Sequence, residues 1–168
     1  MIICLTGFMG CGKSSTGMAL AKFLNQKFID LDDYVQECEG LTVTQLFADG
    51  QERFREAESR CLRQILTKAD EDFVLALGGG TLESESNHRL VLEKTRCIYL
   101  ETSLPVIIER LNNSGTKRPL YSPETVTELY NSRLDRYRKA GLTVRTDFLS
   151  AVQTARHIAE LLSEECGD

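Results

Sequence analysis

Residues Gly7 to Ser14 read Gly-Phe-Met-Gly-Cys-Gly-Lys-Ser, between an apolar run, Ile2-Ile3-Cys4-Leu5, and a helical pattern running from Lys13 to about Asn25. A buried strand that turns through glycines straight into a helix leaves few folds open. Glycine reaches φ > 0 and lets the backbone approach a ligand without a Cβ clash. Such a turn aims several N–H groups at one point, where the helix N-terminus adds partial positive charge. The spacing fits G-x-x-x-x-G-K-[ST], the phosphate-binding loop. In that loop Lys13 reaches the β- and γ-phosphates and the Ser14 hydroxyl ligates Mg²⁺. The expected cradle comprises Gly10, Cys11, Gly12, Lys13, Ser14 and Ser15.

The rest of the chain alternates between strand and helix signals. Phe28–Leu31, Phe73–Leu77, Cys97–Leu100 and Leu142–Val144 read as further strands. Helices are expected from Asp32 to about Glu39, from a Thr42/Gln45 capping box through Phe47, from about Gln51 to Lys68 and near Asn87–Lys94. Ser103 with Pro105, Ser122 with Pro123, and Ser150 with Gln153 open three more. The expected fold class is α/β, a five-stranded parallel sheet with helices on both faces, of the phosphate-loop NTPase kind. At 168 residues the chain is expected to be one domain. The long polar connection Asn112–Ser122 is the candidate lid.

Charge and cysteine usage narrow the partners. A formal net charge of −5 argues against general binding to nucleic acid or to an anionic membrane. No apolar stretch approaches the roughly 20 residues that span a bilayer. With strand and loop at the very start, no leader peptide is expected. Six cysteines without metal spacing fit a reducing cytosol. Cys4 and Cys97 read as small buried hydrophobes, whereas the Cys11 side chain, inside the loop, is open to exposure.

Four further clusters carry chemistry. Asp30 and Asp32 flank Leu31 at the end of the second strand, where ligands of open α/β sheets bind. Asp30 suits Mg²⁺ through water, and Asp32 suits a proton from an attacking hydroxyl. Alternatively Asp32 or Asp33 simply caps the next helix. Arg55 and Glu58 lie three apart on a helix and can pair, although such spacing usually marks a solvated surface ion pair. Gly78-Gly79-Gly80 follows a buried strand where many phosphate-loop enzymes carry a Mg²⁺-binding Asp, so Asp30 is the nearest substitute. Thr116-Lys117-Arg118-Pro119-Leu120 is a basic loop that either closes over a phosphoryl group or stays an ordinary exposed segment. Arg133, Arg136 and Arg138 cluster near a helix C-terminus, where cations suit the dipole.

Taken together, the Gly7–Ser14 loop, Phe28-Ile-Asp-Leu-Asp32, Phe47…Gly50…Phe54-Arg55…Glu58, Leu77–Gly80, Arg118-Pro119-Leu120 and Arg133…Tyr137-Arg138 resemble shikimate kinase, in that family's order and over nearly the whole chain. The resemblance implies a nucleoside-monophosphate-kinase-like fold with substrate-binding helices at about 32–62 and a lid at about 111–122. It implies Mg²⁺-ATP-dependent phosphorylation of the shikimate 3-hydroxyl, in aromatic amino acid biosynthesis. Arg55, Arg138 and the backbone at Gly78, Gly79 and Gly80 would hold the shikimate carboxylate, and Asp32 its hydroxyls. Glu58 would orient Arg55, while Phe47 and Phe54 would wall the pocket. Lys13 and Arg118 would contact the transferring phosphate, Arg110 would lie against the nucleotide, and Ser14 with Asp30 would serve the metal. The implied protein is a cytoplasmic monomer acting on two small molecules. Gluconate kinase, which also needs an arginine-bound carboxylate, is the alternative enzyme, and a non-catalytic nucleotide-binding protein the alternative class. Three positions depart from the family pattern: Gln51 replaces a common Glu, Leu134-Asp135-Arg136 replaces Ala-Pro-Leu, and Asp147–Leu149 is short where the family holds adenine.

Overall fold

A computed structural model describes residues 1–115 and 120–165. The continuous apolar runs become β1 (Ile3–Thr6), β2 (Lys27–Asp30), β3 (Phe73–Ala76), β4 (Arg96–Glu101) and β5 (Leu142–Arg145). They form one all-parallel sheet in the order β2-β3-β1-β4-β5. Between and after them run α1 (Lys13–Leu24), α2 (Leu31–Glu39), α3 (Val43–Ala48), α4 (Gln51–Thr67), α5 (Glu85–Lys94), α6 (Leu104–Asn113), α7 (Val126–Arg138) and α8 (Ala151–Glu165), with a 3-10 turn at Thr81–Glu83. The expected α/β class and strand number are therefore found. Among the described residues no helix is long and apolar enough to cross a membrane.

Local chemistry explains the boundaries. The Thr42 hydroxyl accepts from the Gln45 N–H, and the Gln45 side chain accepts from the Thr42 N–H, closing the capping box of α3. Ser150 and Gln153 make the same reciprocal pair at the start of α8. The expected start of α7 at Ser122-Pro123 needs correction. The Ser122 carbonyl accepts from the Thr125 and Val126 N–H groups, so a turn comes first and the regular helix begins at Val126.

Strand pleating divides the core. Ile3 pairs in register with Val74, and Leu5 with Ile98, so these side chains share one face. They pack with Leu20 and Ala21 of α1 and with Ala155, Ile158 and Leu162 of α8. Cys4, Leu75 and Cys97 sit one residue out of phase and face α2, α4 and α5. Cys4 and Cys97 lie opposite each other on β1 and β4, and burial holds the Cys4 thiol well above its ordinary pKa. Cys11 departs from the expected exposure: its side chain is turned inward and buried in the α1/α8 layer.

This topology sets the site. The chain leaves β1 through α1 on one face and β3 through α5 on the other. Because β1 and β3 are neighbours, a crevice opens between their C-terminal ends, the usual ligand position in such sheets.

Candidate active site

Gly12 occupies the N-cap position of α1 at φ 95°, which an L side chain would strain, and it offers no capping side chain. The first N–H groups of α1 are thus left for an incoming anion. Lys13 arcs back over the loop, its Nζ donating to the carbonyls of Gly7 at 2.8 Å and Phe8 at 3.1 Å. Arg110, from α6, donates through Nη1 to the carbonyls of Gly10 at 3.5 Å and Cys11 at 3.3 Å. A cavity of about 430 Å³ extends from Gly10–Ser15 past Asp30 and Arg110 to Leu149, Ser150 and Thr154 at the start of α8.

Ser14 Oγ donates to Asp30 Oδ2 at 2.5 Å, and Asp30 Oδ1 accepts from the Asp32 N–H at 3.0 Å. Asp30 is therefore the N-cap of α2, the role offered by sequence to Asp32 or Asp33. A hydroxyl and a carboxylate side by side at the loop are hard oxygen donors of the kind Mg²⁺ takes, usually with waters and substrate phosphates completing its shell. Asp33 lies just beyond, and burial, reinforced by the Asp30 charge, raises its pKa above the ordinary carboxylate value.

A second cavity, of about 360 Å³, lies under α2, α3 and α4. Phe47 and Phe54 form one wall, their rings 4.4 Å apart and tilted by 30°. The Arg55 guanidinium stands 5.9 Å from the Phe47 ring and 5.3 Å from the Phe54 ring, in cation–π range. Its Nη1 donates to Glu58 Oε2 at 2.8 Å, while Thr81 Oγ1 donates to Glu58 Oε1 at 2.7 Å. Glu58 is 0% exposed and Arg55 23%, so this is a largely buried pair and not the solvated surface pair that spacing alone favours. The triple glycine is the opposite wall. A Cβ on Gly78 would stand 2.6 Å from Glu58 Oε1 and 3.1 Å from Asp32 Oδ1, and one on Gly80 would overlap the Arg55 guanidinium.

Arg138 does not join this pocket. It is largely exposed and only 3.9 Å from Glu101, at the end of β4. Arg133 lines the cavity instead, with 2% of its side chain exposed. One turn separates Arg133 from Tyr137 on α7, and both are buried with Val126 on one stripe, whereas Arg138 lies off that stripe. That periodicity was the sequence signal for Arg133. Arg133 donates through Nε and Nη2 to Glu83 at 3.1 and 3.0 Å, and its guanidinium stands 5.9 Å from the Phe8 ring. Tyr137 donates its hydroxyl to the Gly79 carbonyl, and burial pushes its pKa far up, so the donor keeps its proton.

The two cavities meet. Met9, Asp32, Gly78 and Gly79 line both. Asp32, in the first turn of α2, thus stands at the seam of the two cavities. Leu120 closes part of the second cavity, while Arg118 lies outside the described residues. Glu83, which reaches the pocket only through Arg133 and Arg55, carried no signal in the sequence, because only the fold brings it to them.

Comparison with known proteins agrees with this geometry. The family model described as shikimate kinase matches residues 9–163. The shikimate kinase of Chlorobium limicola is 35% identical, over 96% of this chain and 86% of its own length. That of Thermus thermophilus is 35% identical, over 95% and 89%. Shikimate kinase from Acinetobacter baumannii, solved in complex with shikimate, superposes with a TM-score of 0.90 at 26% identity, over 98% of this chain and 93% of that one. Shikimate kinase from Bacteroides thetaiotaomicron gives 0.87 at 27% identity, over 97% and 98%. The fold, the paired cavities and these relatives converge on one assignment: the chain belongs to the shikimate kinase family.

Proposed function

We propose that this chain transfers the γ-phosphoryl group of ATP to the 3-hydroxyl of shikimate, giving shikimate 3-phosphate and ADP for aromatic amino acid biosynthesis. The observation that carries the reading is the shared wall: the cavity at the Gly10–Ser15 loop and the arginine-walled cavity are both lined by Met9, Asp32, Gly78 and Gly79. ATP enters the first cavity with its phosphates on Gly10–Ser15 and Arg110 beside the nucleotide. Shikimate enters the second. Its carboxylate meets Arg55, Arg133 and the Gly79–Gly80 backbone, and its ring lies against Phe47 and Phe54. Asp32 accepts hydrogen bonds from the ring hydroxyls and orients the 3-hydroxyl, acting as its proton acceptor. Lys13 neutralises charge on the transferring group, with Arg118 of the lid in the same role. Ser14 and Asp30 would hold Mg²⁺, which would supply charge neutralisation for the phosphates. The enzyme acts on two small molecules as a cytoplasmic monomer, without nucleic acid or membrane. The net charge of −5 supports that last point.

The test is acceptor choice. With Mg²⁺-ATP, shikimate is expected to be phosphorylated at least about 10³-fold better in kcat/KM than its carboxyl-reduced alcohol, roughly 4 kcal/mol. Arg55→Ala should lower kcat/KM strongly for shikimate and weakly for the alcohol, because both changes remove one interaction. Additive losses would retire the carboxylate clamp, and preference for gluconate would retire the acceptor.

A further inference from the structure

Two guanidiniums that converge on one carboxylate repel each other until it arrives. Behind these arginines, outside the lining of the acceptor pocket, stands a side chain placed to offset this, 41% exposed. Glu83 closes the 3-10 turn that follows the triple glycine, and its N–H is bonded to the Gly80 carbonyl at 3.1 Å. Its Oε1 accepts from Arg133 Nε at 3.1 Å, and its Oε2 from Arg133 Nη2 at 3.0 Å. The same Oε2 lies 3.6 Å from Arg55 Nη2. One carboxylate therefore bridges both arginines. Glu58 instead accepts from Arg55 through one oxygen and from Thr81 through the other.

The side of the fork that Glu83 takes decides what it can do. A bidentate hold on Nε and Nη2 fixes the plane of a guanidinium and leaves Nη1 free. Arg133 Nη1 points towards the glycine wall, 3.5 Å from where a Cβ on Gly79 would lie. Glu83 thus does not occupy the edge an acceptor would use.

We propose that Glu83 is a specificity-determining positioning residue: it holds Arg133 with Nη1 turned into the acceptor pocket and lets Arg133 and Arg55 share one substrate carboxylate. This rests on the acceptor assignment above. It extends that assignment to a residue that acts through the arginines and not on the reacting atoms. Glu83→Gln keeps size and a hydrogen-bond acceptor but removes the charge.

Steady-state kinetics of Glu83→Gln and wild type, on shikimate and on its carboxyl-reduced alcohol, test the proposal. The expected result is a rise of about tenfold in KM for shikimate, exceeding any fall in kcat. KM for ATP should stay unchanged, and the preference for shikimate over the alcohol should shrink by the same factor, about tenfold being 1.4 kcal/mol. A lower KM for shikimate would overturn the proposal, since Glu83 would then be competing for the arginines. So would an unchanged preference accompanied only by a lower thermal midpoint, which marks a structural buttress. Wild-type failure on shikimate would retire the acceptor assignment itself. An active wild type with no change of preference in Glu83→Gln would retire Glu83 alone.

Discussion

Asp32 and Asp30 stand two residues apart with different duties, and the difference is set by one hydrogen bond. Asp30 accepts the Asp32 N–H and so is committed to the start of α2, while Asp32 lines both cavities. Asp32→Asn keeps the shape and removes the proton acceptor. It is expected to lower kcat by on the order of 10²-fold, the scale of a general base, with ATP affinity nearly constant. A kcat within about threefold of wild type would reduce Asp32 to a spacer. Sequence alone left capping open for Asp32, because an aspartate before a helical pattern reads the same whichever of two neighbours does the capping. Arg55 and Glu58 were harder still. Their spacing is that of countless exposed pairs, and only Thr81, arriving from a distant segment to bond Glu58, marks this pair as interior.

Among the elements, α7 shows how a helix selects which arginine it turns inward. Val126, Arg133 and Tyr137 are buried on one stripe, and Arg138 falls outside it. Arg133→Ala should therefore reduce kcat/KM for shikimate by at least about 10²-fold, whereas Arg138→Ala should stay within about threefold. Truncating a paired, desolvated arginine costs several kcal/mol, and truncating an exposed one costs little. Parallel kinetics on the two variants, with circular dichroism to check folding, decide the matter. Equal losses would contradict the stripe. Most elements were legible because each is locally determined: an apolar run makes a strand, and Thr42 with Gln45 makes a cap. The start of α7 was not, because Ser122-Pro123 carries the signature of a helix opening while its carbonyl closes a turn.

For the whole molecule, the order of strands was beyond local reading, since it depends on which apolar runs meet across long stretches of chain. The same long-range packing buries His88 of α5 near the C-terminal end of α7. Burial first, then the Arg136 charge, holds its pKa below the ordinary 6.5, with Lys139 pushing the same way and Glu85 opposing. The unfolded chain therefore takes up this proton before the folded one does. Stability is whole above about pH 7 and falls as pH drops through about 6.5 towards the folded value. Thermal midpoints at about pH 7.5 and 5.5 should show a smaller acid loss for His88→Gln than for wild type. Identical losses would place the acid sensitivity elsewhere.

Met9, Asp32, Gly78 and Gly79 line both chambers, so only these four residues stand between them where they adjoin. One molecule joining an adenosine phosphate to a cyclohexene carboxylate by a short spacer would fill both at once. Once its first half is seated, the second binds at an effective concentration in the millimolar range, without any new contact. The seam across which the proposed phosphoryl transfer runs is thus also the place where a single tethered inhibitor would displace two substrates together.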